Sequence, residues 1–292
     1  MSTTFHSEYH PIKRVFLKPP QNAFRSQQML DEQWRDLNYL SLPNFENSLK
    51  EYNSFLETLK TKDAEFLFFE NDERTSIDSI YCRDASIATN FGMIICNMGK
   101  SGRINEPQAQ EKNYLSQNIQ ILGKIESPGT LEGGDVAWLD ESTLAVGHTY
   151  RTNEAGIDQL KKLLNPKGVD VIVAELPHYK GKQDVFHLMS ILSPVDKDLA
   201  VVYSPLMPIK FRNELISRGF ELIEVPEEEF ESMGCNVLAI SPRHCIMVEG
   251  NPVTKKRLEA AGCKVVTYKG SEISVKGGGG PTCLTRPLER SL

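Results

Sequence analysis

The chain contains no apolar run near the ~20 residues that a membrane-spanning helix needs. Its first stretch, Met1 to Lys18, mixes His, Glu and Lys and has no apolar centre, so no secretory signal is legible. It has no Cys-x-x-Cys pair: Cys82, Cys96, Cys235, Cys245, Cys263 and Cys283 are scattered, which excludes a zinc knuckle and a disulfide framework. Basic residues are not in excess. With 33 Lys and Arg against 39 Asp and Glu the net charge is −6, and there is no electrostatic ground for a nucleic-acid or anionic-membrane partner. Low-complexity tracts and Pro/Ser-rich linkers are absent as well. What remains is an ordinary globular composition, 40% hydrophobic and 25% charged, with a reduced cytoplasmic location as the expectation.

Short apolar runs of strand type recur: Val15–Leu17, Phe66–Phe69, Met93–Cys96, Val136–Leu139, Leu144–Gly147, Val171–Ala174, Leu199–Tyr203, Leu222–Val225, Val237–Ile240, Cys245–Val248 and Val265–Tyr268. Helical patterns fall between them. One puts Phe45, Leu49, Tyr52, Leu56 and Leu59 on a single face, and another runs from Asn153 through Ile157, Leu160 and Leu164. A third opens with Asn251 as cap and Pro252 at the first helical position, then stops at Gly262. Two strands often precede the next helix. That spacing disfavours a strict βαβ doubly wound sheet and fits repeated ββαβ units in an α/β fold.

The richest stretch lies near the end: four glycines, Gly277 to Gly280, then Pro281, Thr282, Cys283, Leu284 and Thr285. Glycines let backbone approach closely, and a cysteine beside them is placed against whatever the loop surrounds. The cysteine is a candidate nucleophile, or a small core residue after a flexible loop. Five further segments place polar residues at strand ends: Asp78 to Ala85, Leu131-Glu132-Gly133-Gly134-Asp135-Val136, Gly147 to Asn153, Val185-Phe186-His187-Leu188-Met189-Ser190, and Arg103 in a Gly/Ser/Asn-rich loop. Singly, each has a plain structural reading. Glu132 and Asp135 suit a tight turn, Arg151 a surface ion pair, Thr152 or Asn153 a helix cap, and His187 a core position.

Together and in this order, these motifs resemble the guanidine-modifying (pentein) enzymes: dimethylarginine dimethylaminohydrolases, arginine deiminases and amidinotransferases. The resemblance is closest to the first, through Glu132-Gly133-Gly134-Asp135, Arg151-Thr152-Asn153, His187-Leu188-x-Ser190 and the glycine-rich Thr282-Cys283. It implies a five-bladed α/β propeller of ββαβ modules around a central channel, forming one catalytic domain over 1–292. It implies Cys283 as nucleophile, His187 as general acid and base, and Glu132 as the carboxylate completing the catalytic group. Asp78 and Asp84 would grip a substrate guanidinium, and Arg103 and Arg151 would hold the α-carboxylate. The partner is then a small guanidino amino acid, with no metal or organic cofactor required. A lid is expected after the first strand, over Pro19 to Arg25.

These residue types suit that chemistry. A guanidinium is planar and cationic, so carboxylates are its natural bidentate partners. Its central carbon is resonance-stabilised and needs a thiolate rather than an unactivated hydroxyl. Two departures mark this chain. Arg83 precedes Asp84 where animal dimethylargininases carry an acid, and Met189 stands where deiminases and amidinotransferases place an aspartate. An apolar side chain there makes room for N-methyl groups. The enzymatic alternatives are hydrolysis of arginine itself and amidino transfer to an amine; the non-enzymatic alternative is a binding protein on the same propeller, of the ribosome anti-association type.

Overall fold

The computed structural model describes residues 6–61, 64–182, 184 and 186–291; Val185 and the first five residues lie outside them. Strands β1 (Ile12–Leu17) and β2 (Glu65–Phe68) pair in parallel. Four strand triplets follow. They are β3 (Ser86–Thr89), β4 (Gly92–Ile95) and β5 (Ile121–Lys124); β6 (Val136–Trp138), β7 (Thr143–His148) and β8 (Asp170–Glu175); β9 (Leu192–Asp196), β10 (Leu199–Val202) and β11 (Glu221–Glu224); and β12 (Leu238–Ser241), β13 (His244–Val248) and β14 (Lys264–Tyr268). In each, the first two strands form an antiparallel hairpin and the third lies parallel to the second. The final strand, β15 (Thr285–Arg290), runs antiparallel to β1 and completes the first sheet. The result is a propeller of five three-stranded modules.

A parallel partner requires a crossover, and helices supply it. Helices α1 (Pro20–Ala23), α2 (Gln27–Gln33) and α3 (Phe45–Leu59) join β1 to β2. Helices α4 (Glu106–Ser116), α5 (Glu154–Leu164) and α6 (Ile209–Ser217) bridge the next three modules. A short α7 (Glu227–Phe230) precedes the last hairpin, and α8 (Pro252–Ala260) crosses to β14. Asn44 and Asn153 each accept a hydrogen bond at 2.9 Å from the third backbone N–H of their helix, as N-caps do. The third cap differs from expectation. Asn251 donates to the Ser232 and Val248 carbonyls, and α8 is capped by Glu229 instead, which accepts from the Val253 and Thr254 amides. The buried stripe of α3 is also shifted, running through Ser48, Tyr52, Phe55 and Leu59.

The leading strands of the modules contact one another around the middle of the molecule, β15 with β3 and β9 with β6 and β12. They are almost wholly buried, so polar side chains at their ends look inward. From β15, Arg286 donates to the Ser86 carbonyl on β3 and Arg290 to the Ala239 carbonyl on β12, which ties the closing strand to its neighbours. The segment His6 to Tyr9 is buried there too. Its Glu8 takes both carboxylate oxygens to Arg83, at 2.8 and 2.9 Å. Arg83, which replaces an acid, thus meets its acid from elsewhere in the chain.

Candidate active site

The tail loop forms because its glycines are needed. Gly278 has φ +75°, and a Cβ on Gly279 would lie 2.3 Å from the Tyr81 ring. The loop therefore lies flat on Tyr81 and delivers Cys283 beside the 78–84 segment, where the Arg83 amide donates to the Cys283 carbonyl at 3.2 Å. A short 3₁₀ turn, Ile77–Ile80, carries Asp78, and the chain then bends to Asp84. His187 opens another such turn, Leu188–Ser190. The Ser190 hydroxyl accepts from its amide, and the Leu188 amide donates to Asp135, which fixes the imidazole's approach. Gly134 is required between these pieces, since a Cβ there would stand 2.4 Å from His187 Nδ1 and 2.8 Å from Asp84 Oδ1.

Asp78, Asp84, Arg103, Arg151, His187 and Cys283 all line one small polar pocket. Glu132 lies directly behind it, fully buried, with Oε2 2.9 Å from His187 Nε2. Its other oxygen accepts from the Gly99 and Lys100 amides at 2.9 and 3.0 Å and lies 3.5 Å from Arg151 Nη1. Burial alone would keep His187 neutral, but Asp135, Glu132 and Asp84 around it reverse that and raise its pKa to about 9. Burial likewise works against the Glu132 charge, and His187 and Arg151 hold it well below the usual carboxylate range. The two form a buried ion pair at neutral pH.

Cys283 is half-buried, whereas the other five cysteines are buried. Its Sγ lies 3.4 Å from Asn236 Nδ2 and 3.8 Å from Thr282 Oγ1. Burial, then the Asp84 charge, push the thiol up from its ordinary value; Thr282, Asn236 and Arg83 act the other way. Asp84 itself is divided. Oδ2 is paired with Arg103 at 2.5 Å, while Oδ1 is buried and has no hydrogen-bond partner among the described residues. A buried carboxylate oxygen without a donor is costly, and here it faces the pocket beside His187 and Gly134.

The remaining expected groups are already engaged to different degrees. Four of the five N–H groups of Arg103 go to Asp84, Glu106 and the Tyr81 carbonyl. Among the described residues the Arg151 guanidinium makes only its long contact with Glu132, so it stays largely available. Asp78 is bound by Lys100 Nζ at 2.6 Å, and the same ammonium donates to the Leu37 carbonyl. Lys100 and Asn236 escaped the sequence reading. Both have a signal in retrospect: Lys100 sits in the loop that carries Arg103, and Asn236 immediately precedes the Val237–Ile240 strand run. The expected lid is corrected. Pro19 to Arg25 lines neither cavity at Cys283, and Ala23 and Phe24 are buried in the core; Asn38 and Leu40 stand at the larger cavity instead.

Asp84, Glu132 and His187 also place one ligand atom each within 4.8 Å of one another, a spacing a metal ion would accept. Each of these groups is already committed, however: Glu132 to His187 and the Gly99 and Lys100 amides, and Asp84 to Arg103, with the Arg151 guanidinium close by as a second fixed cation. The trio better suits an organic cation that donates hydrogen bonds.

A family model described as N,N dimethylarginine dimethylhydrolase, eukaryotic, matches residues 20–290. The chain belongs to this family. The dimethylarginine dimethylaminohydrolase of Pseudomonas aeruginosa is 27% identical over 247 residues, 85% of this chain and 91% of its own. The arginine deiminase of Mycobacterium avium is 28% identical over 242 residues, but the match spans 72% of this chain and 60% of the deiminase. Among solved structures, a cysteine-to-serine mutant of the Pseudomonas enzyme complexed with citrulline superposes with a TM-score of 0.77 at 23% identity, covering 96% of this chain and 100% of that one. A cyanobacterial arginine dihydrolase, through its N-terminal domain, gives 0.80 at 17% identity over 96% and 98%. An amidinotransferase from Microseira wollei gives 0.80 at 15% over 99% and 98%. These three share the fold, as the pentein resemblance implied. No helix among the described residues is long and apolar enough to cross a membrane.

Proposed function

We propose that this chain is a cysteine hydrolase that cleaves the guanidine group of Nω-methylated arginine to citrulline and an amine, through a covalent thiouronium on Cys283, with residues 1–292 forming one catalytic domain. The observation that carries the reading is the unpartnered Asp84 Oδ1 between the His187–Glu132 ion pair and the Cys283 thiol. A guanidinium is the cation that fits: it donates to Asp84 and presents its flat face to sulfur. Its charge offsets the Asp84 carboxylate, which after burial is what disfavours the thiolate, so substrate binding promotes loss of the Cys283 proton to solvent. The sulfur then bonds to the guanidine carbon. The C–N bond to the substituted nitrogen breaks, and that nitrogen keeps the electron pair and takes a proton from His187. Water, deprotonated by His187, adds to the thiouronium, and the thiolate departs to leave a ureido group.

Glu132 positions His187 and holds it charged. Arg151, joined by Lys100 and the remaining N–H of Arg103, meets the substrate carboxylate, and Asp78 accepts from the substrate alongside Lys100. Met189, 3% exposed in the adjoining cavity, supports a methylated substrate over one whose distal nitrogens need another acceptor. A cytoplasmic location accords with six free cysteines. The test incubates the protein with asymmetric dimethylarginine, monomethylarginine, arginine and agmatine and measures the ureido product and released amine. Methylated arginines should be preferred, and Cys283→Ser should remove all turnover. Preference for arginine defeats the methylated-substrate assignment; transfer of the amidino group to an added amine places the chain with the transferases; no product from any of them favours a binding protein.

A further inference from the structure

The last glycine of the tail loop, Gly280, draws attention to Asn236. A Cβ on Gly280 would overlap the Asn236 carboxamide, so the loop is built to lie flat on that group. Asn236 is buried, and the backbone on either side of it is held from β9. Ser193 Oγ donates to the Cys235 carbonyl at 2.7 Å and accepts from the Val237 amide at 3.1 Å. The carboxamide has one orientation. Its Oδ1 accepts from the Thr282 backbone amide at 3.1 Å and from the Thr282 hydroxyl at 2.8 Å. A backbone N–H can only donate, so the atom it meets is the oxygen, and the atom 3.4 Å from Cys283 Sγ is Nδ2.

Among the described residues, the sulfur has one other polar contact, the Thr282 hydroxyl at 3.8 Å, whose single proton is already given to Asn236. Asp84, Arg83 and His187 stand around the sulfur without a hydrogen bond to it, each held by a partner of its own: Arg103, Glu8 and Glu132. Burial keeps the nearby phenols of Tyr81 and Tyr268 neutral. A side chain that only braced the loop would turn its N–H groups to backbone carbonyls, whereas among the described residues Nδ2 donates to sulfur alone.

The residue type suits a site that handles a cation and a thiolate together. A cationic donor here would repel an incoming guanidinium, and a carboxylate would repel the thiolate; a carboxamide donates without carrying charge. Resting on the function proposed above, we infer that Asn236 is a further catalytic residue, whose Nδ2–H bonds the Cys283 thiolate before it attacks and again as it departs. On attack, a sulfur lone pair becomes the S–C bond and the negative charge leaves sulfur. When the hydrated thiouronium collapses, that bonding pair returns to sulfur, and the N–H takes up the charge again. No proton passes through Asn236.

The experiment follows the pH profile of Cys283 alkylation by iodoacetamide, read on the modified peptide by mass spectrometry, in wild type, Asn236→Ala and Asn236→Asp. Asn236→Ala removes the donor without adding charge, and Asn236→Asp keeps an oxygen for Thr282 in nearly the same shape. Loss of a hydrogen bond to a charged group should raise the thiol midpoint by about 1–2 pH units in Asn236→Ala. The midpoint should rise further in Asn236→Asp, where an anion replaces the donor. With Nω-methyl-L-arginine, kcat should fall at least about tenfold in both variants and KM should change less. Unshifted midpoints in the folded variants, with the wild type active, overturn the inference, leave the proposed function standing and make Asn236 a brace for the loop. A wild type that converts no guanidine substrate overturns the proposed function and the catalytic role together, whatever the alkylation profile shows.

Discussion

Replacing Glu132 by glutamine tests whether a buried carboxylate is what keeps His187 charged. The His187 pKa of about 9, against 6.5 for the unperturbed ring, corresponds to about 3 kcal/mol in favour of the imidazolium at ~1.4 kcal/mol for each pKa unit. Burial opposes this, so the surrounding carboxylates supply more than the net. Glu132 gives the one direct hydrogen bond, 2.9 Å to Nε2. A hydrogen bond to a charged group contributes about 1.5–3 kcal/mol, so its loss in Glu132→Gln should lower the His187 pKa by about 1–2, to about 7–8, with Asp135 and Asp84 still in place. The amide also reverses the donor pattern. Its oxygen must keep accepting from the Gly99 and Lys100 amides, which turns its NH2 towards Nε2 and favours a neutral ring with Nε2 as acceptor. The direct assay is an NMR titration of the ring, assigned against His187→Ala. The pH profile of kcat/KM serves as a second reading, since its two limbs belong to the Cys283–His187 pair and both should move. A folded Glu132→Gln protein whose His187 titrates unchanged near 9 would refute the ion-pair account and leave Glu132 a turn residue.

Arg151→Ala should raise KM for amino-acid substrates by at least tenfold and leave residual activity on agmatine, which lacks the carboxylate, nearly unchanged; equal losses on both would make Arg151 structural. Met189→Asp should shift the ratio of kcat/KM from methylated arginine towards arginine by tenfold or more, because a dimethylated edge has no N–H for the new acid at about 1–3 kcal/mol; an unchanged ratio would show that residue 189 does not face the guanidine. Glu8→Gln leaves the Arg83 guanidinium buried without its counter-ion and should cost about 3–5 kcal/mol, seen as a Tm roughly 6–20 °C lower at pH 7. Arg83 holds the Glu8 carboxylate well below its ordinary range against the cost of burial, so this contribution is complete above the unfolded pKa of ~4.3 and fades as pH falls further. A Tm within 2 °C of wild type would sink it.

Eleven of the fifteen strands among the described residues coincide with apolar runs that stand out in the sequence, and the alternation of hairpin and helix already disfavoured a doubly wound sheet. The strands that do not stand out are β3, β5, β9 and β15. Three of them carry a residue that interrupts the pattern, Gly123, Pro194 or Pro287, and β3 is a four-residue segment flanked by polar turns. Their pairing partners, rather than their own propensity, make them strands. The same limit applies to α8, whose cap is a side chain from α7 more than twenty residues earlier.

By itself the sequence marked candidate side chains, because residue type and the order of motifs are local properties. Singly, Cys283, His187, Glu132, Asp84 and Arg151 each had a plain structural reading, and only their order and the family resemblance it carries made them candidates. Only the tertiary structure decided how they are connected. It set Glu132 behind His187 rather than in the pocket, left one oxygen of Asp84 unpartnered, committed most of Arg103 to Asp84 and Glu106, and put Lys100 on Asp78. It also opened a larger cavity beside Cys283, walled by apolar side chains such as Met189, Phe230 and Met233 and by charged ones such as Lys180 and Glu231. The reason is physical. Glu132 meets His187 across 55 residues and the Asp84 segment meets the Cys283 loop across 200, and the burial that makes a charge pair strong or an empty lone pair costly exists only once five sheets have closed around the middle of the molecule.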